Sequence, residues 1–217
     1  MQFVYLILAR KGSVRIKNKN LKKIENKSLV ERSIDFAKKI AKVDQIILST
    51  DSNQIRSIGR KKGLNIDHLR PKRLSKADTS SYASAIYEVK KYEKKKNKID
   101  AIVLLQPTTP FRSVRTYNKL KRIFLSDPSK PLISVKKIAL ESNRLFKKKN
   151  SFLTNYDNKK KNTIFFPNGA YFFISKKTLN RNKSFFSKKM NFCEIKNLRE
   201  NIDIDTKDDL LFAKKIF

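Results

Sequence analysis

Cysteine and histidine are nearly absent from this sequence of 217 residues, which contains only Cys193 and His68. A single cysteine excludes a disulfide within the chain and favours a reducing compartment. These two residues cannot form a metal site by themselves, and we find no Ser-His-Asp or Cys-His arrangement for nucleophilic catalysis. Both lie beside apolar residues, so we expect them to pack in the interior rather than bind a ligand.

Long apolar runs are also missing. No run approaches the roughly 20 apolar residues of a membrane-spanning helix. The apolar run at 3–9 is too short for a signal peptide, and no basic residues precede it. We therefore expect a soluble, cytoplasmic protein without a membrane partner.

Acidic residues are scarce, with 19 Asp and Glu against 52 Lys and Arg and a net charge of +33. Such a charge is typical of nucleic-acid-binding proteins. However, the lysines are spread along the whole chain, and we find no zinc finger, no RNP-like aromatic motif and no basic region followed by heptads. The charge therefore predicts weak nonspecific binding of polyanions at low salt, without a dedicated nucleic-acid partner.

The sequence alternates between apolar runs and segments with helical spacing. The apolar runs predict strands at 3–8, 45–49, 101–105, 132–135, 170–174 and 191–195. Helical spacing predicts helices at 28–41, 52–62, 80–95, 113–125, 176–179 and 206–216. This alternation predicts an α/β fold with a mostly parallel sheet and helices on both faces. We interpret the chain, 1–217, as a single domain, with the polar stretch at 136–164 as an excursion from the sheet.

Ligands of such sheets bind at the carboxyl ends of the strands, where the first loop, 10–20, is strongly basic. Gly12 lets backbone N–H groups approach a phosphate, and Ser13 adds a hydroxyl donor. Arg10 can bind phosphate oxygens in bidentate fashion, and Lys19 supplies a mobile charge. The spacing matches neither a Walker A loop nor G-x-G-x-x-G. The loop predicts a phosphate site, and the alternative is a solvated basic turn.

A second candidate site is the segment "IDID" at 202–205. In an extended segment, Asp203 and Asp205 lie on one side and the two isoleucines on the other. Carboxylates about 7 Å apart along a strand can share a Mg²⁺ ion. The alternative is a helix N-cap at Asp205 or Thr206, which explains the acids that follow but leaves Asp203 unexplained. We therefore predict a magnesium site.

Two further loops follow or precede predicted strands. In "LLQPTTPFR" at 104–112, two prolines restrict the loop, and Gln106 can both donate to and accept from a sugar or a base. A structural turn is the alternative there. In "FPNGA" at 166–170, Asn168 and Gly169 predict a tight turn before the next strand, rather than a site.

Six segments in this order resemble the CMP-sialic acid synthetases, the acylneuraminate cytidylyltransferase family. They are "LARKGSVRIKNKN" (8–20), "LSTDS" (48–52), "LRPKRLSKADTSS" (69–81), "LLQPTTPFR" (104–112), "PNGAYFFI" (167–174) and "IDIDTKDDL" (202–210). The sequence departs from the family at Val14, where the signature has lysine, with Arg15 next to it. It also departs at Phe166, where members often carry an arginine on the sugar side.

The resemblance implies a Rossmann-like nucleotidyltransferase sheet. It implies an enzyme that transfers CMP from CTP to a nonulosonic acid, such as sialic, legionaminic or pseudaminic acid, for surface glycan synthesis. It also implies a homodimer with 136–164 as a small dimerisation excursion. The alternatives are a CMP-Kdo synthetase-type enzyme and a non-catalytic polyanion-binding module on a degenerate transferase fold.

The resemblance also implies site residues. Those expected to contact CTP are Arg10, Gly12, Ser13, Arg15, Lys19, Asn20, Arg70, Ser80 and Ser81. Those expected to line the sugar site are Gln106, Thr108, Asn168 and Gly169. Asp203 and Asp205 would hold Mg²⁺ and, with Arg10 and Lys19, form the catalytic set.

Overall fold

The computed structural model describes residues 1–95, 98–138, 146–150, 152–155 and 164–217. The strands described are β1 (Phe3–Leu8), β2 (Lys23–Ile24), β3 (Lys27–Ser28), β4 (Ile46–Ser49), β5 (Ala101–Leu104), β6 (Leu132–Ile138), β7 (Phe146–Lys149), β8 (Phe152–Asn155), β9 (Ile164–Ser175) and β10 (Asn191–Glu194). The α-helices described are α1 (Leu29–Ile40), α2 (Asn53–Lys61), α3 (Ser81–Glu93), α4 (Val114–Ser126), α5 (Lys176–Asn182) and α6 (Lys207–Lys215).

The central sheet has six strands in the order β10-β6-β9-β5-β1-β4. Neighbouring strands are parallel except at β9, which runs antiparallel to both β5 and β6. The predicted α/β fold with a mostly parallel sheet is therefore confirmed. The carboxyl ends of five strands and the first residues of β9 lie at the same edge of the sheet.

The sheet is covered on both faces because its strands carry apolar side chains on both sides. In β1, Phe3, Tyr5 and Ile7 pack with α1, α2 and α4 on one face. Val4 and Leu6 pack with α3 and α5 on the other face. A third, smaller cluster joins the N-terminal loop to α6 and the segment before it. This cluster brings the two ends of the chain together.

Hydroxyl side chains cap the N-termini of the α-helices that the structure describes. The caps are Ser28, Ser52, Ser80, Ser113, Ser175 and Thr206. At α6, Thr206 and Asp209 form a reciprocal capping box. Capping at Thr206 was one of the two alternatives for this segment, and it leaves the carboxylate of Asp203 free for another role.

The prediction of a tight turn at Asn168–Gly169 was wrong. Both residues lie inside β9, which begins at Ile164 rather than at residue 170. Gly169 has a φ of 78°, and the register between β6 and β9 shifts opposite this region, between Ile133 and Val135. A glycine with positive φ occurs both in some strand irregularities and in tight turns, so the Asn-Gly signal could not separate the two.

The stretch at 136–164 falls partly outside the described residues. Within it, β6 continues to Ile138, and β7 and β8 pair as an antiparallel hairpin.

Nowhere in the described ranges is there a helix of the length and apolarity required to cross a bilayer.

Candidate active site

A cleft of about 490 Å³ opens at the carboxyl edge of the sheet. Three polar parts of the chain meet there, although they are far apart in sequence. The lining residues are Leu8, Arg10, Ser13, Val14, Arg15, Lys19, Asn20, Ala77, Gln106, Pro107, Thr108, Asp203 and Asp205. The basic loop, the loop after β5 and the two aspartates therefore share one cavity.

The N-terminal loop is held in place by its own backbone and by Asn20. Asn20 is buried and donates from Nδ2 to the carbonyl oxygen of Arg10 at 2.9 Å. The backbone N–H of Lys11 donates to Asp51 Oδ1 at 2.7 Å. With the loop held in this way, the side chains of Arg10 and Lys19 line the cleft. Gly12 is exposed and does not line the cleft.

The aspartate segment has the alternation that the sequence predicted, although its backbone is irregular rather than a strand. Ile204 is fully buried, and its N–H donates to the carbonyl oxygen of Thr108 at 2.8 Å. Asp203 and Asp205 on either side of it both face the cleft. The bond to Thr108 thus ties the aspartates to the loop after β5.

Asp205 is already paired with the N-terminal loop. Its carboxylate accepts from Lys19 Nζ at 2.6 Å and from Arg15 Nη1 at 2.8 Å. The hydrogen bond from Lys19, followed by the charges of Lys19 and Arg15, lowers the pKa of Asp205. Asp205 is therefore ionised at neutral pH. Arg15 provides a cation next to the exposed side chain of Val14, at the position where the family signature has lysine.

The pKa of Asp203 is shifted in the opposite direction from that of Asp205. Burial raises the pKa of its carboxyl group, and the charge of Asp205 adds to this. A hydrogen bond with Thr108 and the charges of Lys19 and Lys136 act in the other direction. Oδ1 of Asp203 is buried, and no hydrogen-bond partner for it exists among the described residues.

A buried carboxylate oxygen without a partner, beside a second carboxylate, fits the hard oxygen ligands that Mg²⁺ prefers. Within the described part of the chain, no group of three or more His, Cys, Asp or Glu side chains could hold a metal. Phosphate oxygens and water would therefore complete the coordination of an ion bound here.

Gly169 lies directly against the cleft residues. A Cβ atom at this position would lie 2.9 Å from Gln106 Oε1 and 3.4 Å from Asp203 Oδ2. Asn168 is buried, and its Oδ1 accepts from Ser134 Oγ at 2.5 Å while its Nδ2 donates to Asn201 Oδ1 at 2.9 Å. Asn168 therefore connects β9 to β6 and to the turn at 199–201 and does not line the cleft, whereas Gly169 allows close approach of Gln106.

A smaller cleft of about 140 Å³ adjoins the first and shares Leu8, Arg10 and Gln106 with it. Arg70 and Ser81, both expected to contact the cytidine of CTP, line this second cleft. Burial lowers the pKa of Arg70, and the charges of Asp51 and Glu88 oppose this. Ser80 does not line it and instead accepts from the backbone N–H of Ala83 as the cap of α3.

The sequence was compared with models of protein families. The model described as "Cytidylyltransferase" matches residues 4–216. The chain belongs to the cytidylyltransferase family. The resemblance found in the six segments is thereby confirmed.

Curated cytidylyltransferases match along the whole chain. It is 30% identical to a CMP-N,N'-diacetyllegionaminic acid synthase of Legionella pneumophila, covering 100% of this chain and 96% of that protein. It is 27% identical to a pseudaminic acid cytidylyltransferase of Campylobacter jejuni, covering 100% and 97%. It is also 27% identical to an N-acylneuraminate cytidylyltransferase of Escherichia coli, where 98% of this chain spans 51% of that protein.

Solved structures share the fold of this cytidylyltransferase. A CMP:2-keto-3-deoxy-manno-octonic acid synthetase complexed with CTP has a TM-score of 0.70 at 16% identity, covering 100% of this chain and 98% of that one. A 4-diphosphocytidyl-2C-methyl-D-erythritol synthase from Anaerococcus prevotii has a TM-score of 0.66 at 15% identity, covering 99% and 97%. The predicted nucleotidyltransferase sheet is confirmed.

Sequence reasoning missed the role of Arg112 in this cytidylyltransferase. Its side chain is half-buried, and its guanidinium donates to the carbonyl oxygens of Gln106 at 2.5 Å and Ala170 at 2.9 Å. Burial lowers the pKa of Arg112 to about 10. Arg112 therefore holds the loop after β5 against β9, next to Gly169. In the sequence, Arg112 is the last residue of the segment "QPTTPFR", and nothing else there indicates that it anchors the loop.

Cys193 and His68 lie outside the two clefts described above. Cys193 is buried in the core on β10. The His68 ring lies between two carboxylates, with Nδ1 at 2.6 Å from Asp67 Oδ1 and Nε2 at 3.0 Å from Glu88 Oε2. Cys193 therefore packs in the interior as expected, whereas His68 is half-buried and lies between two carboxylates rather than among apolar side chains.

Proposed function

We propose that this cytidylyltransferase transfers CMP from CTP to a nonulosonic acid and releases pyrophosphate. The observation that carries the proposal is the shared cleft, in which the basic loop after β1 faces Asp203 and Asp205. The names of the relatives support a sugar acid of the legionaminic, pseudaminic or sialic type. We further propose that the reaction takes place in the cytoplasm and serves surface glycan synthesis.

The positions of the cleft residues support the following roles. Arg10, Ser13 and Lys19 would bind the triphosphate, because they provide fixed and mobile donors on one wall of the cleft. Asn20 would lie near the ribose, and Arg70, in the adjoining cleft, near the cytosine. Gln106 and Thr108 would face the sugar.

Nucleotidyl transfer requires an oxygen nucleophile in line with the departing pyrophosphate. Here the anomeric hydroxyl oxygen of the sugar acid forms the new bond to the α-phosphorus, and the bond between that phosphorus and the pyrophosphate oxygen breaks. Arg10 and Lys19 stabilise the charge that passes to pyrophosphate. Asp203 and Asp205 would hold Mg²⁺, which when bound polarises the α-phosphate and favours deprotonation of the hydroxyl.

Pyrophosphate release tests the proposal directly. Purified protein with CTP and Mg²⁺ is incubated with N-acetylneuraminic acid, N,N'-diacetyllegionaminic acid, pseudaminic acid or Kdo. We expect release with at least one of the three nonulosonic acids, and none when EDTA is added or when ATP replaces CTP. Release with Kdo alone would assign the chain to the CMP-Kdo type. Release with none of the four would contradict the proposal and favour the polyanion-binding alternative.

We also propose that the protein is a homodimer. Phe165 on β9 and Phe192 on β10 are both exposed, and their ring centroids lie 5.1 Å apart on one face of the sheet. Exposed aromatic pairs of this kind mark interaction surfaces. We expect light scattering to give twice the mass of one chain for the wild type and a lower mass for Phe192→Ser. A wild-type protein that is monomeric at tens of micromolar would contradict this.

A further inference from the structure

Another cavity, the α1 cavity, opens between α1, the end of the loop after β5 and the turn at 197–200. Its volume is about 340 Å³. Its described lining residues all differ from those of the catalytic cleft and of the smaller cleft beside it. Pro110 and Phe111 form an apolar part of its wall. A cavity of this size accommodates a small organic ligand.

Arg32 on α1 lines the cavity with an incompletely bonded guanidinium. Its Nη2 donates to the carbonyl oxygen of Ile24 at 2.5 Å, and the guanidinium carbon lies 4.2 Å from the centroid of the Phe217 ring. Its Nε is buried and has no hydrogen-bond partner among the described residues. Because buried donors are nearly always paired in folded proteins, this N–H group indicates a place for an acceptor from a ligand.

Glu200 lines the same cavity and has an unused acceptor. Only 5% of Glu200 is exposed, and its Oε1 accepts from Thr116 Oγ1 at 3.1 Å. Its Oε2 is also buried, and no described residue donates to it. A buried carboxylate oxygen requires a donor to offset its loss of hydration. A ligand that provides both an acceptor and a donor would therefore satisfy Arg32 and Glu200 together.

The charges around the α1 cavity favour an anion. The other acidic residue of its lining, Asp35, is already paired with Lys27 at 2.6 Å and with Lys62 at 2.8 Å. Three lining cations form no salt bridge within the described part of the chain: Arg32, Lys39 and Arg199. A phosphate monoester carries a charge of about −1.5 to −2 at neutral pH, so it balances this excess better than a single carboxylate does.

We propose that the α1 cavity binds a hydroxylated phosphate monoester of the size of a sugar phosphate. The phosphate group accepts from Arg32 Nε and lies among the three unpaired cations. A hydroxyl group of the sugar donates to Glu200 Oε2, and the ring packs against Phe111. The proposed transfer reaction uses none of these side chains, so the inference is independent of the proposed function.

Binding is tested by calorimetry with glucose 6-phosphate and ribose 5-phosphate, and with glucose as the uncharged comparison. Full-length protein is saturated with a non-hydrolysable CTP analogue and Mg²⁺, so that the catalytic cleft does not take up the phosphate. Salt is kept at about 0.15 M to screen nonspecific attraction to a chain of net charge +33. The variants are Arg199→Met, Lys39→Met and Glu200→Gln. Lys196→Met is the matched control, because Lys196 is exposed and does not line the cavity.

We expect wild type to bind at least one of the two sugar phosphates and to show no binding of glucose. Arg199→Met and Lys39→Met should each weaken this binding about fivefold, and Glu200→Gln about tenfold, as loss of charge-assisted hydrogen bonds predicts. Lys196→Met should stay within about twofold of wild type. The two exposed lysine and arginine variants carry the test if thermal unfolding shows that Glu200→Gln is not folded. Absence of binding by wild type, unchanged affinity in Arg199→Met and Lys39→Met, or an equal loss in Lys196→Met would each overturn the proposal.

Discussion

Replacing Asp203 by asparagine is expected to lower kcat by about 10³-fold or more, because the neutral amide cannot hold a divalent cation against the triphosphate. The matched control is Asp208→Asn, which removes an exposed carboxylate from the first turn of α6. The control should stay within about twofold of wild type, since it lies outside the cleft. The measurement is steady-state pyrophosphate release at saturating CTP and sugar acid.

The same substitution is expected to leave the folded state as stable as wild type or more stable. Burial raises the pKa of Asp203, so the folded protein holds this proton to higher pH than the unfolded chain does. The stability that the protonated carboxyl contributes is present below the unfolded pKa of about 3.9 and is lost as pH rises through the folded pKa. Asparagine stays neutral throughout, so it avoids this loss.

Thermal unfolding of the metal-free proteins between pH 4 and pH 7 checks this second effect. The Tm of Asp203→Asn minus that of wild type should increase with pH over this range. An Asp203→Asn variant that is inactive and also strongly destabilised at pH 7 would indicate a structural carboxylate. Retention of most of the activity would remove Asp203 from the reaction and would support the polyanion-binding alternative.

The sheet could be predicted from the sequence because its strands are buried on both faces. Continuous apolar runs as short as 3–8 and 101–105 are typical of strands buried on both faces, since a buried helix is usually longer. Most helices between them begin after a serine cap, and α2 ends just before Gly63, so their bounds were predictable to within a few residues. Because parallel strands place their carboxyl ends at one edge, the predicted sheet also placed the basic loop and the loop of Gln106 at the ligand-binding edge.

The parts of the site that escaped prediction depend on contacts between distant segments. Arg112 bonds two carbonyl oxygens from different parts of the chain. Nothing in its local sequence distinguishes it from an exposed arginine. The interior position of Asn168 depends on Ser134, a residue of another strand.

A second large effect is expected at Lys19, whose ammonium is shared between two roles. The Lys19 side chain is 14% exposed, and its ammonium is paired with Asp205. The proposed function assigns the same ammonium to the triphosphate of CTP. CTP would draw Lys19 and Arg15 away from Asp205 and leave that carboxylate for Mg²⁺. Each ligand would then raise the affinity for the other by the same factor, since such coupling is reciprocal.

Lys19→Met should therefore change the two affinities in opposite directions. Removing the ammonium frees Asp205, so Mg²⁺ alone should bind the nucleotide-free protein about tenfold more tightly, whereas CTP should bind about tenfold more weakly. Calorimetry with Mg²⁺ alone and with CTP in EDTA measures the two affinities separately. Lys17→Met, an exposed change in the same loop, is the matched control and should alter neither. If both affinities fall in Lys19→Met, the ammonium only supports the loop and the exchange of partners does not occur.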